Sequence, residues 1–529
     1  MPDSEPDERT RLVSSPVSPA SPANDGADRP HDSSLIHLIQ PRVLYLLTLQ
    51  FITNFAYYHI LAPRLRILEL TLCRTYYSDH DPSFIHDLPY WPGYDITEDK
   101  CKLSSIQRGL SRLRAAGVFL DGLVVLLLSI PYGYIADRYG RKLVYSTCTV
   151  GLLLSTAWIM LICTLYDHVH IDSVLASSAF LVIGGGSSVQ NAIAFTMGVD
   201  MTGTEDSSTI LYLLLAMYYL GYICGNGLAP ATMKYLWLPF CLAFICWGIA
   251  LLLVVLMPSS QKFAEQSQTK MRQGGVFSNV FPSKISTRAW QIYYKARNTV
   301  RKRDYLVGII ALFPLMAVRG PVIELVLPYV SKRYHWSLAN AGFLDAMSGI
   351  IGLMLSFFML PVLVTYLKKH PSFGPIRAEG AVVRYSVCAL GFGALIIAAA
   401  PSVGLMIPGY VIYATGAGGR TAILAIATSL VLPEEVARLN TVIITSEVLA
   451  DLTLSPFIWY LWSLALDQGS DAALGIPFYA VTVVMCIVAA IFLYTTRDPD
   501  HLLRAIREHR EDLNDSTNFS SEVETDDMT

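Results

Sequence analysis

The sequence predicts an all-α integral membrane protein, with twelve transmembrane helices in two six-helix halves. Three observations carry that prediction. Hydrophobic residues fill 53% of the 529 positions and charged residues only 15%, where a typical soluble domain carries roughly 25% charge. The mean hydropathy is +0.44. Apolar runs of about 20 residues, the length needed to cross a hydrocarbon core, recur twelve times, and a basic interval divides six from six. This composition excludes two or three soluble domains of the same total length. A net charge of −3 gives no footing to a nucleic-acid partner.

Taken in order, residues 1–42 are rich in Ser, Pro and Asp, with "SSPVSPASPANDGAD" at their centre. No apolar core precedes a small-residue cleavage site. The segment reads as a disordered cytoplasmic tail, and the first span as an uncleaved anchor. The N-terminal half, 43–257, holds runs near 43–62, 115–135, 143–165, 173–197, 208–229 and 236–256. A basic cytoplasmic central loop, 258–304, follows. The C-terminal half, 305–497, holds runs near 305–329, 341–366, 383–400, 403–431, 440–465 and 475–495, and a cytoplasmic tail covers 498–529. The run at 305–329 is the least regular, because Arg319, Pro321 and Glu324 interrupt it.

Basic residues set the orientation. Ten fall between Lys262 and Arg303, while Glu265 and Asp304 are the acidic residues of that loop. The loops after spans 3, 9 and 11 have neither Lys nor Arg. Both termini and the central loop therefore belong in the cytosol, with the plasma membrane as the expected location and an internal membrane as the alternative. The acidic "DMTGTEDSS" after span 4 runs against the count, as do the basic residues after span 1 and at Lys332 and Arg333. The central loop outweighs them. Asn514 and Asn518 begin N-x-[ST] triplets, but they fall in a cytosolic tail and are expected to be unmodified. Seven of the nine cysteines sit in apolar runs, as small apolar residues do. Cys73 and Cys101 lie in the polar segment after span 1, where an oxidising compartment permits a disulfide. Spacing alone leaves bridged and free thiols both open.

Span 2 ends in "GYIADRYGRK", residues 133–142. Gly133, Asp137, Arg138, Gly140, Arg141 and Lys142 match G-x-x-x-D-R-x-G-R-[RK]. This resembles the signature between helices 2 and 3 of the major facilitator superfamily. The resemblance implies a major facilitator fold in which the cluster latches the cytoplasmic side in one conformation. Its glycines permit close approach and a tight turn. Asp137 would meet the positive end of a helix in the other half, and the arginines would pair across that seam. The plainer reading is a positive-inside anchor. Over residues 42–497 the chain is similar to the filamentous-fungal drug and metabolite transporters of that superfamily. The similarity runs through "LAPRLRILELTLCRTYY", "FLVIGGGSSVQNAIAF", "GAGGRTAILAIATSLVLPEEVARLNT" and "GIPFYA". Two departures bear on mechanism. "AFLVIGGG" in span 4 lacks the Arg common in proton antiporters, and "GYICGNGLAP" in span 5 displaces the proline of the exporter element.

An ionisable group at mid-membrane is costly unless paired or wetted, so each is a functional candidate. Asp121 lies sixteen residues before Asp137, about 24 Å along a helix, in the outer half of span 2. It reads either as a partner for a neighbouring helix or as a wetted group. Arg319 and Glu324 flank Gly320-Pro321, where the proline bends span 7; five residues apart, they do not share a face. Arg420 follows a glycine run in span 10. Glu447 and Asp451 share a face of span 11, so a structural pair with Arg420 and a proton-carrying carboxylate are both open. Asn54, Tyr57, Tyr58 and His59, Gln190 and Asn191, and Tyr218 and Tyr219 are candidates to line a central cavity. The run "VIGGGSS" is expected inside a helix, where glycines allow close packing, and not as a nucleotide loop. No nucleophile triad or metal-ligand cluster is present in the sequence.

These features imply a monomeric secondary transporter of a small organic molecule, working by alternating access without cofactor or metal. Outward movement driven by protons is the expectation; a proton-coupled nutrient importer and a non-transporting membrane receptor are the alternatives. An enzyme is not expected.

Overall fold

The computed structural model describes residues 41–81, 96–202, 207–257, 304–369, 375–429 and 436–495. Among them there are helices and no strands. The basic central loop, both tails, Asn514 and Asn518 lie outside the described residues.

The first expected span and much of the polar segment after it form one broken rod. Helix α1 (Pro41–His59) runs into α2 (Leu61–His80) across Ile60. Pro63 has no N–H to offer the carbonyl of His59, which accounts for the break. Helix α2 was not expected, because its sequence is polar. Its polar residues are satisfied internally: Glu69, 1% exposed, receives Arg66 at 2.8 Å, Lys102 at 2.5 Å and Gln107 at 2.7 Å. A buried carboxylate with three donors is compensated. Cys73 and Cys101 are bonded, with Cα atoms 5.3 Å apart, and tie α2 to the short turn Glu98–Lys102.

Helix α3 (Ser104–Tyr139) is longer than the expected 115–135 and is followed by α4 (Arg141–Thr164). Gly140 between them has φ 101°, a conformation open to glycine and strained for other residues. After the short helix Ser177–Leu181, the expected continuous fourth span is interrupted. Gly184, Gly185 and Gly186 have φ of 105°, 87° and 80°. Three successive left-handed residues cannot continue a right-handed helix. The glycine run therefore breaks span 4 instead of lying within a helix, and α5 (Gly186–Thr202) starts afresh there. Helices α6 (Ser207–Thr232) and α7 (Leu238–Leu256) complete the first set. Gly221 and Gly225 bring α6 against the α1 backbone: a Cβ at Gly225 would lie 2.8 Å from the Phe55 carbonyl oxygen.

The second set begins with α8 (Asp304–Met316) and α9 (Arg319–Tyr334). The break between them falls four residues before Pro321, where the missing donor leaves the Ala317 carbonyl without its helical partner. Helices α10 (Leu338–Met354) and α11 (Leu360–Lys369) flank a π-turn at Leu355–Met359. Next come α12 (Pro375–Ala399) and α13 (Val403–Thr415), then α14 (Gly419–Ser429) beyond a turn at Gly416–Gly418. Helices α15 (Val436–Asp467) and α16 (Ile476–Thr495) end the described chain. Among the described residues, ten helical rods are long and apolar enough to cross a membrane. The other two expected spans, 43–62 and 403–431, fall on the broken rods α1–α2 and α13–α14.

Apolar packing follows the two sets. One core is built from residues 309–492, with Phe313, Tyr329, Tyr410, Trp459 and Phe478 at 0–1% exposure. Two smaller cores draw mainly on residues 43–257, around Phe240 and Trp247 and around Leu46 and Tyr145. Polar ties between the sets gather at the end that carries the disulfide. There Arg108 pairs with Asp467 at 2.5 Å, and the Ser111 hydroxyl donates to the Trp459 carbonyl at 2.7 Å. Lys332 donates to the Lys102 carbonyl, and the Leu338 N–H to Glu98 at 3.0 Å.

Candidate functional site

Between the two sets lies a cavity of about 260 Å³. The first set lines it with Tyr57, Arg64, Arg114, Asp121, Ser187, Ser188 and Trp247, and the second with Glu324 and Asp451. Local sequence explains each placement. Arg64 stands in the first turn of α2, just past the break at Ile60. Arg114 and Asp121 are seven residues apart on α3, two turns along one face. Ser187 and Ser188 are there because the glycine break starts α5 at the cavity wall, exposing N–H groups that no earlier turn can use.

One charge pair crosses the cavity: Arg114 reaches Glu324 at 2.8 Å, with its guanidinium 5.5 Å from the Trp459 ring. Asp121 accepts the Ser178 hydroxyl at 2.5 Å, and Asp451 accepts that of Ser455 at 2.9 Å. Neither carboxylate has a cation within ion-pairing distance among the described residues. Arg64 has no acceptor there for its guanidinium, and its buried Nε is unpartnered. The cavity thus presents two guanidinium and three carboxylate groups, of which one of each is already paired.

Of the residues expected from sequence, Tyr57, Asp121, Glu324 and Asp451 come together here. The others do not line this cavity. Asn54 and Gln50 donate to the Asn191 side chain at 3.2 and 2.9 Å, and Gln190 donates to Thr149 at 2.8 Å. These amides join α1, α4 and α5 to one another. His59 is fully buried and bonded to the Gly225 carbonyl at 3.1 Å and to Thr232 at 3.2 Å. Tyr58 meets Tyr218 at 2.5 Å. Arg420 binds Glu447 through two bonds of 2.5 and 2.6 Å, which leaves Glu447 paired and Asp451 separate. Arg319 has no hydrogen bond or ion pair among the described residues.

Among the described residues, the charge knot keeps to its own set. Arg141 binds Asp200 at 2.5 Å and approaches Asp137 at 3.7 Å, and Lys142 donates to the Met257 carbonyl. Asp200 belongs to the acidic stretch that ran against the charge count, and it meets a basic partner. A Cβ at Gly133 would touch nothing within 4 Å, so the close approach expected there is not made.

Sequence reasoning missed Arg64, Arg114, Trp247 and the serines of α5. Arg114 is the residue immediately before the expected start of span 2, and Arg64 sits in a segment taken for a loop. A helical reading of "RLRILELTLCRTYY" would have found Arg64; Trp247 and the serines carried no signal.

A helical membrane bundle whose two sets enclose a charged cavity defines a membrane transport protein. The particular family follows directly: the chain belongs to the Major Facilitator Superfamily, whose model matches residues 115–452. It is 27% identical over 440 residues to the MFS efflux pump atnC of Emericella nidulans, covering 82% of this chain and 83% of that one. It is 25% identical over 437 residues to the MFS-type transporter aprT of Aspergillus flavus, covering 82% and 84%. Among solved structures, the nucleoside transporter NupG superposes with a TM-score of 0.59 at 12% identity, over 85% of this chain and 99% of that one. The protein is a multi-pass membrane transporter of small molecules.

Proposed function

We propose that the protein is a proton-coupled exporter of a small organic molecule, working by alternating access with both termini in the cytosol. The observation that carries the reading is the charged cavity between the two sets, bridged by Arg114 and Glu324. The basic central loop supports an orientation with the disulfide end outside, where a disulfide is stable. The polar ties at that end support reading this as the cytosol-facing state, in which Asp137 and Arg141 make no contact with the second set among the described residues. Asp121, Glu324 and Asp451 are the candidate proton carriers, Asp451 foremost because Arg420 is committed to Glu447. The similarity to a fungal efflux pump supports outward movement.

The test is accumulation of a compound panel of mixed charge in cells with and without the protein, with and without a protonophore. Export lowers accumulation of at least one compound, and the protonophore removes the difference. Raised accumulation would identify an importer, and an unchanged panel would refute transport.

A further inference from the structure

Arg64 is a charged side chain in the transport cavity that Asp121 attracts across the space, but it makes no hydrogen bond or ion pair among the described residues. A guanidinium carries five N–H donors in a fixed fork and stays charged at any physiological pH. Buried donors are normally partnered, and one that is not asks for an explanation. Arg64 is not alone. The buried Nε of Arg114 and the indole Nε1 of Trp247, whose residue is fully buried, also lack partners. All three residues line one cavity, and they come from α2, α3 and α7.

The same cavity holds a second, independent element. The break at Gly184–Gly186 leaves the N-terminal turn of a 17-residue helix, α5, at the cavity. Such a turn has free N–H groups and a partial positive charge, and broken helices in transporters aim this end at anionic groups of the substrate. Hydroxyls from Tyr57, Ser155 and Thr156 border the same space. Unpartnered donors of Arg64, Arg114 and Trp247 therefore share one cavity with the free turn of α5. The remaining charged groups facing it are Glu324, already held by Arg114, and the carboxylates of Asp121 and Asp451. Those two repel a second negative charge.

We infer that the transported molecule carries a single acidic group, carboxylate or equivalent, which the cavity holds between Arg64 and the first turn of α5. A planar carboxylate matches the guanidinium fork with two parallel bonds. Asp121 and Asp451 select against dianions and admit a basic group elsewhere on the molecule. This rests on the transporter reading and adds the chemical class to it.

The experiment measures binding of indole-3-acetic, 1-naphthoic and cinnamic acids, each against its primary amide, to the purified full-length protein. The amide keeps shape and loses charge. The acids should bind about 10- to 100-fold more tightly than the amides, the range of one to two charge-assisted bonds. Arg64→Gln should bring the acids down to the amide level, and an unchanged thermal midpoint in detergent certifies its fold. Arg64→Lys should restore part of the preference. Equal binding of acids and amides, or an acid preference that survives Arg64→Gln, overturns the inference. Binding of neither series, together with export of only neutral or cationic compounds in cells, overturns it and leaves the transporter reading standing. Export of no compound in any charge class overturns both.

Discussion

Replacing Glu324 by Gln keeps the shape of the Arg114–Glu324 tie and removes its negative charge. The tie joins α3 to α9, so it exists only while the disulfide end is closed. A contact shifts a two-state equilibrium by its differential energy and no more. A hydrogen bond to a charged group contributes about 1.5–3 kcal/mol. Arg114 is 13% exposed but Glu324 is 38% exposed, and solvent screening places the pair at the lower end of that range. About 1.5 kcal/mol corresponds to roughly a tenfold rise in the open population. The Arg108–Asp467 pair serves as the control. Its partners are 47% and 46% exposed, and an exposed pair contributes about 0–1 kcal/mol. Ser111, 1% exposed and bonded across the seam, is the reporter position. In a Ser111→Cys background, a membrane-impermeant maleimide reacts only when the seam opens. The labelling rate should rise about tenfold with Glu324→Gln and no more than about fivefold with Asp467→Asn. Labelling of the parent with Ser111 intact sets the background. A Glu324→Gln rate within twofold of the reference, or equal effects of the two substitutions, would refute the assignment of this tie as the closing contact.

Two further outcomes follow from particular contacts. Asp137→Asn should insert and express normally, because Asp137 is 51% exposed and its contact with Arg141 is 3.7 Å long. On the proposed reading, in which Asp137 serves a latch formed in the opposite state, transport in the cell assay should nevertheless fall severely; near-normal transport would make the knot a topological anchor. Gly225→Val should lower stability in detergent by about 1–3 kcal/mol, since the new Cβ meets the backbone of Phe55 and His59 at 2.8 and 2.9 Å. Gly133→Ala, with open space around it, should leave the thermal midpoint unchanged or slightly raised, and equal losses at the two glycines would argue against a close α1–α6 approach.

The sequence by itself determined the class, the approximate places of the spans and the signature between α3 and α4. These rest on local properties: apolar length, basic residues in loops and a motif of fixed spacing. It also offered a pair between Arg420 and a carboxylate of α15 as one of two readings and expected Pro321 to bend its helix, because both follow from helical geometry and the chemistry of one residue. The tertiary structure decided which side chains face the cavity. Glu324 chose Arg114 over Arg319, since five residues on a helix place two side chains on different faces. Asn54, Gln190 and Asn191 turned toward neighbouring helices and became joints. Arg64 entered the site only because a polar stretch, clamped by Cys73–Cys101 and by the donors around Glu69, extends the first rod. In a soluble protein the apolar stripe of a helix announces its inner face. In lipid the outer surface is as apolar as the core, so helix rotation is set by packing and polar contacts between helices, and those exist only once the chain has folded.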